Sequence, residues 1–145
     1  MKSFPEMPPV PYLDAPYTLF VDSDDTISPY LLSVTKSETE NFQADAVYFK
    51  YIVTASNGSY IGGDAGDSNI LEAEFSGERQ HFFSEPLPWC KLLRTSLLKE
   101  NDIRFPEIAA HEDVCHNIKA VASAKKVVQL PIPLYFYRTG RQAAS

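Results

Sequence analysis

Apolar residues gather first at 17–21, YTLFV, an aromatic and β-branched run without alternation that predicts a buried strand. Before it, residues 1–16 hold Pro5, Pro8, Pro9, Pro11 and Pro16, a density that excludes helix and central strand and predicts an extended lead-in. Ser28-Pro29 predicts a helix start, with Ser28 capping and Pro29 in the first helical position. That helix should run to about Glu40 and turn Leu31, Leu32 and Thr35 inward. Residues 45–54, DAVYFKYIVT, predict a second strand. Asn57-Gly58 is a turn signal, 59–61 a partner strand, and 62–69 a glycine-rich loop. A helix is expected over 76–84, broken by Pro86 and Pro88. Residues 112–124 carry the clearest helical period, with Val114, Ile118, Val121 and Ala122 on one face. Two strand-like runs, 126–130 and 134–138, close a mixed α/β pattern.

Composition narrows the function classes. At 145 residues, 44% hydrophobic and 22% charged, the chain can bury one core. A net charge of -6 argues against a nucleic-acid partner, because the basic residues are scattered and Lys125-Lys126 is their one adjacent pair. An anionic ligand then needs a local cation or a bridging metal. Cys90 and Cys115 lack metal-cluster spacing and read as free, buried thiols, as in a reducing cytosol. No apolar run approaches the roughly 20 residues that span a bilayer, and residues 1–16 lack the apolar stretch of a signal peptide. These features place the protein in the cytoplasm and leave room for attachment to the inner face of a membrane.

The first run ends in LFVDSDDTIS, with Asp22, Asp24 and Asp25 inside four positions. Aspartates cap turns and helix starts, so one alone needs no further account. Three repel one another, and a cation relieves that repulsion. If the strand persists this far, Asp22 and Asp24, at i and i+2, share a side.

Two resemblances follow from these residues. LFVDSDDTI resembles the first motif of haloacid dehalogenase-type phosphotransferases, which implies Asp22 as nucleophile and Asp24 as acid/base. The match ends after about ten residues, and Asp25 stands where that family has glycine. YTLFVDSDDTISPYLL also resembles the Asp-x-Asp region of family 2 glycosyltransferases, and two later blocks agree in order. PWCKLLRTSLLKENDIRFPE (88–107) is similar to the family's Trp-x-Lys-Leu-x-Arg segment with its helix and Arg-Phe-Pro turn. HEDVCHNIKAVASAKKVVQLPIPLYFYR (111–138) is similar to its Glu-Asp helix, Lys-Val-Val strand and terminal Tyr-x-Tyr-Arg.

The second resemblance spans residues 17–138 and implies an incomplete GT-A-like fold, a mixed sheet flanked by helices. It implies a metal-dependent, inverting transfer from a nucleotide-sugar donor to a saccharide acceptor in polysaccharide biosynthesis. Mn2+ or Mg2+ would sit at Asp24 and Asp22, with Asp22 and Arg138 near the donor's diphosphate. Asp113 is the implied general base. Glu112, Asp25, His111 and Trp89 are the implied acceptor or sugar contacts. Each has a plainer alternative. Glu112 and Asp113 suit a helix dipole, Asp25 can organise its loop, and Trp89 is equally the anchor of a small core. Lys91 and Arg94 either offset carboxylate or phosphate charge or, as exposed cations, do nothing specific, and His81 and His116 read as structural.

The family's nucleotide-binding half normally precedes the Asp-x-Asp strand, and only residues 1–16 stand there. Residues 17–145 therefore read as the C-terminal, acceptor-side part of such a domain. An open sheet edge invites a second copy, or another polypeptide that supplies the missing half. A non-catalytic glycosyltransferase-like binding module is the other class this pattern allows.

Overall fold

A computed structural model describes residues 14–63, 71–74, 89–108 and 110–140. The helix expected over 76–84, His81 and the lead-in up to residue 13 lie outside them. A mixed seven-stranded sheet carries the fold, and its main path runs β1-β6-β3-β7-β2. Its strands are β1 (Tyr17–Leu19), β2 (Thr26–Ile27), β3 (Ala46–Thr54), β4 (Tyr60–Gly63), β5 (Leu71–Glu74), β6 (Lys91–Arg94) and β7 (Lys126–Arg138). β3 and β7 run parallel; every other pairing is antiparallel. β4 lies against the far end of β3, and β5 against the start of β7.

β3 has no polar alternation because both of its faces are covered. Ala46 and Tyr48 join Leu93 and Val127 beneath α2 (Thr95–Glu100) and α3 (Glu112–Ser123). Val47 and Phe49 join Leu92, Val128 and Tyr135 beneath α1 (Leu31–Lys36). A strand buried on both sides reads as a continuous apolar run. Pro131 and Pro133 do not divide β7, because the register against β3 shifts where they occur, between Tyr48 and Tyr51.

Several local expectations shift. β1 stops at Leu19, and the aspartates occupy a turn beyond it. The alternation argument for Asp22 and Asp24 therefore does not apply. α1 starts at Leu31; Ser28, three residues before it, instead accepts through Oγ from the Tyr30 backbone N–H at 3.2 Å. Leu31 and Thr35 are buried, whereas Leu32 is 74% exposed, because consecutive helical positions cannot share one narrow buried stripe. A π-helical turn, Ser37–Asn41, continues the segment. The buried face of α3 is His116, Asn117, Ala120 and Val121, while Ile118 is exposed. The apolar period misplaced that face because its inner positions include two polar side chains. Cys90 is buried, but Cys115 is only half-buried.

Candidate active site

The aspartate turn closes when the Asp25 N–H donates to the Asp22 carbonyl at 3.0 Å. Its two ends are then tied to β7. The Asp22 N–H donates to Tyr135 Oη (3.1 Å), and that hydroxyl donates to Asp25 Oδ2 (2.7 Å). The Arg138 N–H donates to Asp25 Oδ1 (3.0 Å). Both Asp25 oxygens are thus engaged in hydrogen bonds to β7, each strengthened by the carboxylate's charge. Asp22 and Asp24 lie on the exposed side of the turn. Burial first, and then the Asp25 carboxylate, push the Tyr135 phenol above its ordinary range, so it keeps the proton it donates.

Trp89 leads into β6 and is 5% exposed. Its ring stacks on Tyr135 (4.3 Å, 19°) and on Tyr137 (5.5 Å, 5°), and meets Tyr51 edge-on (5.1 Å, 89°). This is the packing of a core anchor, one of the two roles weighed for it. Pairs of this kind add about 0.5–1.5 kcal/mol beyond the buried area. Tyr137 is the more open member of the stack.

On the opposite face of the sheet, α3 begins after His111, which is exposed and left-handed (φ 66°). Its carbonyl accepts from the Cys115 N–H at 3.2 Å, and among the described residues no side chain caps the helix. Glu112 and Asp113 occupy the first turn, where the helix dipole favours negative charge. Even so, the half-buried Asp113 carboxyl is pushed up from its ordinary value. Burial is the main cause, followed by the charges of Glu112 and Asp22, while Lys91 opposes them. The charge of Asp22, on the aspartate turn, is thus felt at the start of α3.

Lys91 is not the exposed cation its sequence position suggests. It is fully buried, with Nζ donating to Asn117 Oδ1 and lying 5.0 Å from the centre of the Tyr48 ring. Tyr48 Oη donates to the same Asn117 oxygen at 3.2 Å. A buried lysine is stable only when its charge is paired or solvated by polar groups. Nothing in the local sequence pattern marks Lys91 as buried or links it to Asn117 and Tyr48. Arg94, by contrast, belongs to the scaffold: Nε lies 3.2 Å from Asp45 Oδ1, and the guanidinium covers Tyr17 at 6.0 Å. Arg138 is half-buried at the last position of β7, its backbone tied to Asp25.

Among the described residues, no group of three or more His, Cys, Asp or Glu side chains converges as a cation cage. Two exposed carboxylates on one turn fit a hard cation that takes its other ligands from phosphate oxygens and water.

No protein-family model matches the chain. Over 127 residues, 87% of its length, the chain is 30% identical to the poly(ribitol-phosphate) beta-N-acetylglucosaminyltransferase TarS of Staphylococcus aureus strain Mu50 / ATCC 700699. The same figures hold for TarS of strain MW2. The structure also superposes on crystal structures of S. aureus TarS 1–349. For the complex with UDP-GlcNAc the TM-score is 0.75 at 26% identity, covering 92% of this chain and 38% of that one. For the complex with UDP the TM-score is 0.74 at 26% identity, covering 90% and 38%. The chain is homologous to one part of a glycosyltransferase. It covers 21% of the curated relatives, so it spans about a fifth of their length. The GT-A-like mixed sheet implied by the sequence stands. The dehalogenase-type alternative falls, because this homology takes in 127 residues of the chain and not one short motif. Among the described residues no helix is long and apolar enough to cross a membrane.

Proposed function

We propose that this chain carries the diphosphate and acceptor side of a site that transfers a sugar from a nucleotide-sugar donor, of the class UDP-GlcNAc represents, to a hydroxyl of a saccharide or polyol-phosphate acceptor. The observation that carries the proposal is the presence of two kinds of carboxylate, one of which, Asp113, feels the charge of the other, Asp22. Asp22 and Asp24 are exposed on a braced turn, while Asp113 is half-buried with a raised proton affinity. Exposed carboxylates suit a cation, and a half-buried one whose proton affinity is raised suits proton transfer.

In this scheme Asp113 accepts the proton of the acceptor hydroxyl as its oxygen bonds to the anomeric carbon. The bond from that carbon to the diphosphate oxygen breaks on the opposite side, which inverts the centre. Asp22 and Asp24 would hold Mn2+ or Mg2+, whose chemistry when bound is to offset charge growing on the leaving diphosphate. Arg138 stands beside that turn as a second source of positive charge. Glu112 and His111 flank Asp113 as acceptor contacts. Asp25 serves the sugar side through the loop it fixes, and Trp89 through the aromatic stack it anchors.

The test is calorimetry of UDP with Mn2+ on the full chain, followed by transfer from UDP-GlcNAc to a polyol-phosphate acceptor. Metal-dependent binding that Asp24→Asn weakens supports the scheme. Absence of binding at millimolar UDP favours a non-catalytic binding module.

A further inference from the structure

We infer that Tyr135 is a positioning residue for the donor end of the site, its hydroxyl acting as a cross-brace that fixes the Asp22–Asp25 turn from the sheet core. The inference rests on the donor-site reading of Asp22 and Asp24 given above. Three carboxylates within four residues repel one another, so such a turn tends to open unless something spans it. One oxygen atom spans this one. Tyr135 Oη accepts from the backbone of the first residue and donates to the side chain of the last.

The position of that oxygen is set by packing. The Tyr135 ring is fully buried and stacked on Trp89, and its backbone lies between Ile27 of β2 and Tyr51 of β3. Trp89 therefore bears on the aspartates without touching them. The Arg138 N–H adds a second tie to Asp25 from the same strand. Groups that orient metal-holding carboxylates from behind typically contribute 10–100-fold in affinity.

Tyr135→Phe keeps the ring and the stack and removes the brace alone. UDP binding in the presence of Mn2+ should weaken by about 10–100-fold in this variant of the full chain. The Asp22 amide, read by NMR hydrogen exchange, should exchange faster. Asp25→Ala should weaken binding similarly, and Tyr135→Phe/Asp25→Ala should lose less than the sum of the two single variants, because both remove the shared Tyr135–Asp25 bond. Unchanged binding in Tyr135→Phe, or full additivity in the double variant, overturns the inference. Unchanged exchange at Asp22 also overturns it, whatever the binding. If the unmodified chain binds no UDP, the donor-site reading fails on its own terms. The exchange at Asp22 then decides whether Tyr135 braces the turn.

Discussion

The aspartate turn and the first turn of α3 present the same residue type in opposite settings. Asp22 and Asp24 are exposed, and the turn beneath them is held by hydrogen bonds to β7. Asp113 is half-buried on a helix that no side chain among the described residues caps, and burial with two neighbouring acids raises its proton affinity. The first setting leaves carboxylates exposed on a held turn, which suits a cation. The second makes a carboxylate a better proton acceptor, which suits a base. Sequence position alone does not separate the two; solvation does.

The largest expected break in this comparison comes from Asp113→Asn. Transfer should fall by roughly 10²–10⁴-fold, while Mn2+-dependent UDP binding stays within about twofold, since general-base loss acts on the chemical step. A comparable loss of UDP binding would mean that the two settings share one task.

His116 tests the buried floor beneath α3. Its ring is fully buried and stacked on Phe105 at 4.0 Å, and both ring nitrogens lack a hydrogen-bond partner among the described residues. Burial, with Lys91 and Lys119 adding to it, pushes its pKa down to about 4. The unfolded chain takes up this proton near 6.5 and the folded chain only near 4, so the unfolded state binds more protons between them. Stability should be complete above pH 6.5 and should fall by up to about 3 kcal/mol as pH drops toward 4. Urea unfolding across that range checks this. A profile that His116→Phe does not flatten would assign the loss to other groups.

Lys91→Met sharpens the comparison further. Lys91 holds the Asp113 proton affinity down, against burial and the neighbouring acids. Removing that charge should move the acidic limb of the transfer pH profile upward, while an unmoved limb would separate Lys91 from the base. The smallest effect concerns α1, where Leu32→Ala should change stability by less than about 0.5 kcal/mol. Its buried neighbour Leu31→Ala should cost about 2–5 kcal/mol. Thermal denaturation of the pair reads the face directly.

What was legible in the sequence follows where burial is simple. β3 announced itself because both of its faces are apolar, and the Asn57-Gly58 turn because its chemistry is local. The α3 helix was legible but its face was not, since His116 and Asn117 point inward and Ile118 outward. Of the three blocks around Asp22, Trp89 and Glu112-Asp113, the first two are joined through Tyr135, and the charge of Asp22 bears on Asp113 in the third. Lys91 and Tyr135 stayed hidden for the same reason. Each acts through a partner distant in sequence, Asn117 for one and Asp25 for the other, and no local spacing records such a pair.

The most direct test of the central claim is one calorimetric comparison, UDP titrated in the presence of Mn2+ into the Asp24→Asn and Asp113→Asn chains. The two-setting account expects Asp24→Asn to lose most of the metal-dependent binding and Asp113→Asn to keep it. Equal retention in both, or loss confined to Asp113→Asn, would contradict it.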